Sequence, residues 1–165
     1  MIAEIGAGNL FFSLGNMCFV DSLTFYVQDL NLDCFSEKDI KKGKEHFAKL
    51  RGLGPLKGNI FVVKGDTNTS NLPQNTFDKV ILRLVYHEFK NPEQNLKDIY
   101  EILKPDGILY VAENTEKKRN KMKKCGMHRT EENLIREIES ANFTFDSIVY
   151  KAKNSKFKIY KFIKK

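Results

Sequence analysis

Short β-rich runs alternate with helical stretches along most of this chain, and this alternation limits the folds that it can adopt. Apolar runs such as "NIFVVKG" and "KVILRLV" are separated by segments long enough to cross over a sheet. In this pattern each crossover returns the chain to the same end of a parallel sheet. The alternation therefore predicts an α/β protein with a doubly wound sheet.

Five strands and four helices are predicted before a different ending. The strands cover residues 2–5, 24–28, 60–64, 79–85 and 108–113, and residues 104–107 ("KPDG") form a turn before the fifth. The helices cover residues 10–17, 36–50, 92–103 and 131–142, where Ser36 and Thr130 are N-caps and Pro92 opens a first turn. The segment "FTFDSIVYKAKNSKFKIYKFI" predicts two strands of an antiparallel hairpin.

Size, cysteines and hydropathy exclude several classes of protein. The 165 residues fit one domain, expected to span 1–165. Cys18, Cys34 and Cys125 are odd in number and lack CxxC spacing, which argues against a disulfide framework or a cysteine zinc site and favours a reducing cytoplasm. Glu4 and Asn9 interrupt the apolar start, and no window reaches the about 20 apolar residues of a membrane span. We therefore expect neither a signal peptide nor a membrane partner.

The segment "EIGAG" at residues 4–8 predicts a strand followed by a tight turn and a helix. Gly6 and Gly8 allow the backbone to turn sharply and to approach a ligand closely. The third glycine of a dinucleotide fingerprint is replaced by Phe11, so NAD and FAD are disfavoured. Glu4 would repel a pyrophosphate and suits a cationic ligand.

Two further acids follow neighbouring strands. Asp29 ends the second strand, 21 residues after Gly8, where it can accept hydrogen bonds from both ribose hydroxyls. Asp66 in "KGDT" follows the third strand and can accept from an adenine amine. Since the carboxyl ends of parallel strands share one edge, these acids and Glu4 should line one crevice. Either aspartate could instead be a loop or helix-cap acid.

Taken together, these motifs resemble those of the class I S-adenosylmethionine (SAM)-dependent methyltransferases, in particular the methyltransferase type 11-like domains. "AEIGAG" is similar to their first motif, "FDKVILRLVYHEFKNP" to their fourth strand and its loop, and "IYEILKPDGILYVAE" to their passage into strand five. The resemblance implies a Rossmann-like sheet of order 3-2-1-4-5-7-6 with strand 7 antiparallel. It also implies methyl transfer with SAM as the cofactor.

The resemblance assigns roles to single residues. Glu4, Gly6 and Arg83 would hold the methionine end of SAM, the latter two through nearby backbone groups. His87 stands where the family faces its substrate and is either a base or a polar loop residue. No group of residues has metal-ligand spacing, so no metal is expected. The implied cofactor-binding set is Glu4, Gly6, Gly8, Asp29, Asp66, Thr67 and Arg83.

The chain departs from the family at two places. Leu10 stands where the family often has glycine, so the start of the first helix should differ slightly. One or two helices usually precede the first strand and cover the ligands, whereas Met1 stands directly before it here. We therefore expect either a truncated reading frame or an unusually exposed pocket, which affects turnover more than fold.

Basic residues are unevenly distributed over a net charge of +7. They gather at residues 41–44, at 116–124 and near the C-terminus, and solvated helix faces or an exposed loop would explain them. Two function classes follow: a methyltransferase of an acidic small molecule, and a non-catalytic or nucleic-acid-associated domain on the same fold. In the first, the acceptor would be held by some of Lys117, Lys118, Arg119 and Lys121.

Overall fold

The computed structural model describes residues 1–20, 22–115, 129–153 and 155–165. Seven strands and four α-helices occur in the described residues. The strands are β1 (Ile2–Ile5), β2 (Thr24–Asp29), β3 (Asn59–Lys64), β4 (Phe77–Arg83), β5 (Leu103–Asn114), β6 (Phe143–Lys151) and β7 (Phe157–Lys164). The helices are α1 (Phe11–Met17), α2 (Glu37–Arg51), α3 (Pro92–Ile102) and α4 (Glu131–Glu139).

All seven strands form one sheet in the order β3-β2-β1-β4-β5-β7-β6. The pairs from β3 through β5 are parallel, and β7 runs antiparallel to both β5 and β6. The predicted order and the reversed strand are therefore confirmed. The chain changes direction across the sheet between β1 and β4, and ligands of open α/β sheets bind outside the carboxyl ends of the strands at such a point.

Apolar side chains pack on both faces of the sheet. On one face α3 and α4 cover a cluster that includes the fully buried Phe77 and Phe162. On the other face α1 and α2 cover a smaller cluster around Phe25 and Met17. The two helix layers make the sheet doubly wound, as predicted, and leave the strand ends open for a site.

Local sequence explains where the helices begin. The Ser36 side chain accepts a hydrogen bond from the Asp39 amide and so caps α2, as predicted. The Thr130 side chain does the same for α4 through the Asn133 amide. Gly52 ends α2 with φ +69°, a left-handed conformation that glycine adopts readily.

The predicted bounds of β4 and β5 are wrong. Strand β4 begins at Phe77 rather than at residue 79, and it ends at Arg83 rather than at residue 85, because Leu84 turns the backbone to φ +55°. Residues 104–107 belong to β5 rather than to a separate turn. They bulge out of the sheet, since Phe77 pairs with Leu103 and Lys79 next pairs with Ile108.

Among the described residues no helix is both long and apolar enough to cross a membrane.

Leu10 precedes α1 in an unusual backbone conformation. Its φ is +64°, yet its side chain is buried, 2% exposed, in the cluster beneath α1 and α2. The left-handed region costs a residue with a Cβ roughly 1–2 kcal/mol, a cost that glycine avoids. The start of α1 therefore keeps the backbone that a glycine favours, and the burial of Leu10 offsets the strain.

We expect Leu10→Gly to be more stable than Leu10→Ala by about 1 kcal/mol, although both variants lose the buried side chain. Leu14, equally buried but inside α1, is the matched control. There the order should reverse, with Leu14→Ala more stable than Leu14→Gly by about 1 kcal/mol. Urea unfolding of the four variants measures both differences, and the same order at both positions would contradict the strain.

Candidate functional site

A cavity of about 630 Å³ opens at the carboxyl ends of β1, β2, β3 and β4. The switch between β1 and β4 lies at its centre, where the topology places a ligand. Most of the residues predicted for the site are thus brought together, whereas Glu4 and Arg83 are not among the lining residues. The predicted residues in its wall are Gly6, Gly8, Asp29, Asp66, Thr67 and His87.

The glycine turn after β1 is held against the end of β2. The amides of Gly6 and Ala7 both donate to the carbonyl of Gln28, at 2.9 and 3.1 Å. Gly6 has φ +71°, and a Cβ added there would lie 2.5 Å from Cγ2 of Val85. Any residue other than glycine would therefore be strained and would also clash with the segment that follows β4.

Asp29 joins this turn to the cavity. Its Oδ2 accepts a hydrogen bond from the Gly8 amide at 2.8 Å, and its Oδ1 accepts one from the Asn31 amide at 3.1 Å. A carboxylate offers about four acceptor positions, so acceptor capacity is left for a ligand. The sequence predicted the ligand-facing position, but not that Asp29 also anchors the glycine turn.

Asp66 organises the loop that follows β3. Its Oδ1 accepts from the amides of Asn68 and Thr69 at 2.7 and 2.8 Å, and its Oδ2 accepts from the Thr69 hydroxyl at 3.1 Å. The hydrogen bonds from the Asn68 and Thr69 amides are the main reason why the pKa of Asp66 is lowered. Asp66 is therefore a turn-forming acid as well as a residue of the cavity wall.

Two polar residues of α3, which sequence reasoning missed, hold that loop in place. Asn95 Nδ2 donates to the carbonyl of Thr67 at 3.2 Å, and the Asp98 carboxylate accepts from the Ser70 amide at 3.0 Å. Asn95 is buried and lines the cavity, and its Oδ1 has no hydrogen-bond partner among the described residues. The sequence offered one signal for Asn95: it directly precedes Leu96, which belongs to the apolar stripe of α3.

Glu4 lies beneath α1, behind the cavity wall. It is fully buried, its Oε2 accepts a hydrogen bond from the Ser13 hydroxyl, and its Oε1 is 3.7 Å from Arg83 Nε. That distance suits an ion pair but is too long for a hydrogen bond. Burial raises the pKa of Glu4 to about 7, against the opposing effects of Ser13 and Arg83. Glu4 thus links β1 to α1 through Ser13 and to the end of β4 through Arg83, and the role of Glu4 and Arg83 toward a ligand stays a prediction.

His87 occupies a short 3-10 turn, Tyr86–Glu88, after β4. Its Nδ1 lies 2.9 Å from Oε2 of Glu113, a carboxylate that is 3% exposed near the end of β5. Sequence reasoning treated Glu113 only as the end of a strand, although the strand-end rule used for Asp29 also applies to it. The basic residues predicted to hold an acceptor, Lys117, Lys118, Arg119 and Lys121, lie outside the described residues.

We expect the buried Glu4 to make stability depend on pH. Its pKa is 4.5 ordinarily and about 7 in the folded protein, so the folded state binds more protons between these values. The free energy of unfolding should therefore fall as the pH rises from about 4.5 to about 7, by roughly 3 kcal/mol from this group, and then level off.

Glu4→Gln removes this titration while keeping an acceptor for Ser13. Thermal unfolding at pH 5, 6, 7 and 8 should show a smaller decline with pH in this variant than in the wild type. Glu45→Gln, which changes an exposed acid on α2, should keep the wild-type slope. Parallel profiles for the wild type and Glu4→Gln would show that Glu4 does not titrate in this range.

Solved structures with this fold include enzymes of different chemistry. A SAM-dependent methyltransferase from Aquifex aeolicus superimposes with a TM-score of 0.67 at 22% identity, covering 98% of this chain and 80% of that one. The [4+2]-cyclase SpnF gives a TM-score of 0.66 at 20% identity, covering 88% of this chain and 51% of that one. These likenesses establish the fold and leave the chemistry to other observations.

Sequence comparison identifies the family. A ubiquinone/menaquinone biosynthesis C-methyltransferase, UbiE, of Escherichia fergusonii is 33% identical over 78 residues, which are 47% of this chain and 30% of that protein. The matched stretch thus spans less than a third of the length of such curated relatives. The profile of the methyltransferase domain family matches residues 16–111, more than half of the chain. The chain therefore belongs to this family of class I methyltransferases, whose methyl donor is SAM.

Proposed function

We propose that this chain transfers a methyl group from SAM to a small-molecule acceptor, and that residues 1–165 act as one methyltransferase domain. The observation that carries the proposal is the position of Asp29, which anchors the glycine turn and also lines the cavity. This is the arrangement expected of a residue that binds the ribose of an adenosyl ligand. The family membership supports the same donor.

The residues of the cavity fit SAM. The volume of the cavity lies within the roughly 300–1,000 Å³ that is typical of small-molecule sites. Asp29 would accept from the ribose hydroxyls, Asp66 and Thr67 would face the adenine, and the turn at Gly6 and Gly8 would lie along the methionine end. Bound SAM supplies a methyl group made electrophilic by its sulfonium. The acids around the cavity favour that cation, although the whole chain carries a net charge of +7.

An acidic small molecule is the acceptor that we propose. The net charge of +7 favours an anionic partner, and the curated relative is named for the biosynthesis of small molecules, ubiquinone and menaquinone. The free thiols of Cys18 and Cys34 agree with the reducing cytoplasm that we propose as the compartment.

We expect Asp29→Ala to weaken the binding of SAM by about 10- to 100-fold, because charge-assisted hydrogen bonds to the ribose and the anchor of Gly8 are both lost. Titration calorimetry with SAM measures the change. Asp33→Ala is the matched control, since Asp33 is an exposed acid only four residues further on and does not line the cavity.

Equal affinity of the wild type and Asp29→Ala for SAM would contradict the assignment of Asp29. The absence of any SAM binding to the wild type would contradict the proposed function itself.

A further inference from the structure

We propose that His87 is the general base of the methyl transfer, that Glu113 positions it, and that the acceptor therefore presents a hydroxyl group. The inference rests on the proposed function, because it names the class of acceptor that the same site would take. It is carried by a partly buried contact between residues at the ends of two neighbouring strands, β4 and β5.

Glu113 is fixed by three donors. Its Oε2 lies 2.9 Å from Nδ1 of His87 and accepts a longer bond, 3.4 Å, from the His87 amide. Its Oε1 accepts from the Asn114 amide at 3.0 Å. A carboxylate that is 3% exposed and held on both oxygens is restrained in its orientation, so it also restrains the direction in which Nδ1 of His87 points.

This contact determines which ring nitrogen can take a proton. A carboxylate that accepts from Nδ1–H selects the tautomer in which Nε2 carries the basic lone pair. Among the residues that the structure describes, Glu113 from β5 and Glu88 from the same turn are charged groups that face the ring, and Oε1 of Glu88 is 3.8 Å from Nε2. Both are acids, so a carboxylate lies beside each of the two ring nitrogens.

The position of His87 suits a base beside the donor. Val85 packs against Gly6 of the glycine turn, and His87 follows Val85 by two residues. Both His87 and Gly6 line the cavity. A proton acceptor thus stands in the wall where the acceptor would meet the methionine end of SAM.

The chemistry of methyl acceptors points to a hydroxyl group. A neutral amine can attack before it loses a proton, and a thiol, with an ordinary pKa of ~8.5, ionises readily. A phenolic hydroxyl, with an ordinary pKa of ~10, gains most from a positioned base. In the step, the hydroxyl oxygen forms a bond to the methyl carbon while the carbon–sulfur bond breaks. The electron pair of the broken carbon–sulfur bond stays on sulfur, which gives S-adenosylhomocysteine. The hydroxyl proton moves to Nε2 of His87.

The contact could also serve only to brace the turn after β4, and the ring tautomer begins to separate the two roles. Nitrogen-15 spectra of the histidine rings at about pH 9, well above the ordinary histidine pKa of ~6.5, report which nitrogen carries the proton. We expect the Nδ1–H tautomer for His87, assigned by its loss in His87→Gln. Glu113→Ala should shift the ring toward Nε2–H, and Glu88→Gln should leave it unchanged. An Nε2–H ring in the wild type would overturn the proposal.

Methyl transfer to paired probes tests the base itself. The hydroxyl probes are catechol and a phenolic carboxylic acid, and the probes without a proton on the nucleophilic atom are pyridine and dimethyl sulfide. We expect the wild type to methylate a hydroxyl probe. In His87→Gln the rate of this transfer should fall by about 10²- to 10⁴-fold, whereas the Kd for SAM should change by less than about threefold. Transfer only to pyridine or the sulfide, or wild-type rates in His87→Gln, would overturn the proposal.

The SAM titration separates the two levels of inference. If the wild type binds no SAM, the proposed function fails, whereas the tautomer of His87 still reports on the contact with Glu113. If SAM binds and the tautomer is Nε2–H, only the role of the pair fails. Retained SAM affinity in Glu113→Ala shows that this variant is folded.

Discussion

The site depends on the hydrogen bond between the Gly8 amide and the Asp29 carboxylate. It joins the turn after β1 to the end of β2, and the amides of Gly6 and Ala7 strengthen the join through the carbonyl of Gln28. A hydrogen bond from a backbone amide to a carboxylate is stronger than a hydrogen bond between neutral groups. The parallel sheet keeps the ends of β1 and β2 at the same edge, so the two segments can meet. The turn, in which Gly6 and Gly8 have positive φ, is thereby held in the shape in which it lines the cavity.

Much of the fold could be predicted because it depends on local patterns. The bounds of β1, the caps at Ser36 and Thr130 and the terminal hairpin follow from apolar periodicity and cap chemistry. The boundaries near β4 and β5 could not be predicted in this way. Whether residues 104–107 leave the sheet or stay in it depends on their pairing with β4, and the end of β4 depends on a left-handed Leu84.

The site shows the same division between local and tertiary information. The rule that ligands meet parallel strands at their carboxyl ends predicted Asp29 and Asp66 in the cavity wall, and the family resemblance predicted His87 there. The rule did not distinguish the two faces of a strand, so it did not reveal that Glu4 points under α1 toward Ser13. Contacts between distant segments become visible only once the strands are neighbours. An example is the contact of Glu113, near the end of β5, with His87 in the turn after β4.

The close approach of Val85 to Gly6 has a mechanical consequence. There is no space for even a methyl group between the turn after β1 and the segment after β4, and closely packed atoms transmit displacement rather than absorb it. A displacement of the turn after β1 is therefore passed on to the segment after β4, and because Gly6 and Val85 both line the cavity, its wall cannot change shape at one of them alone.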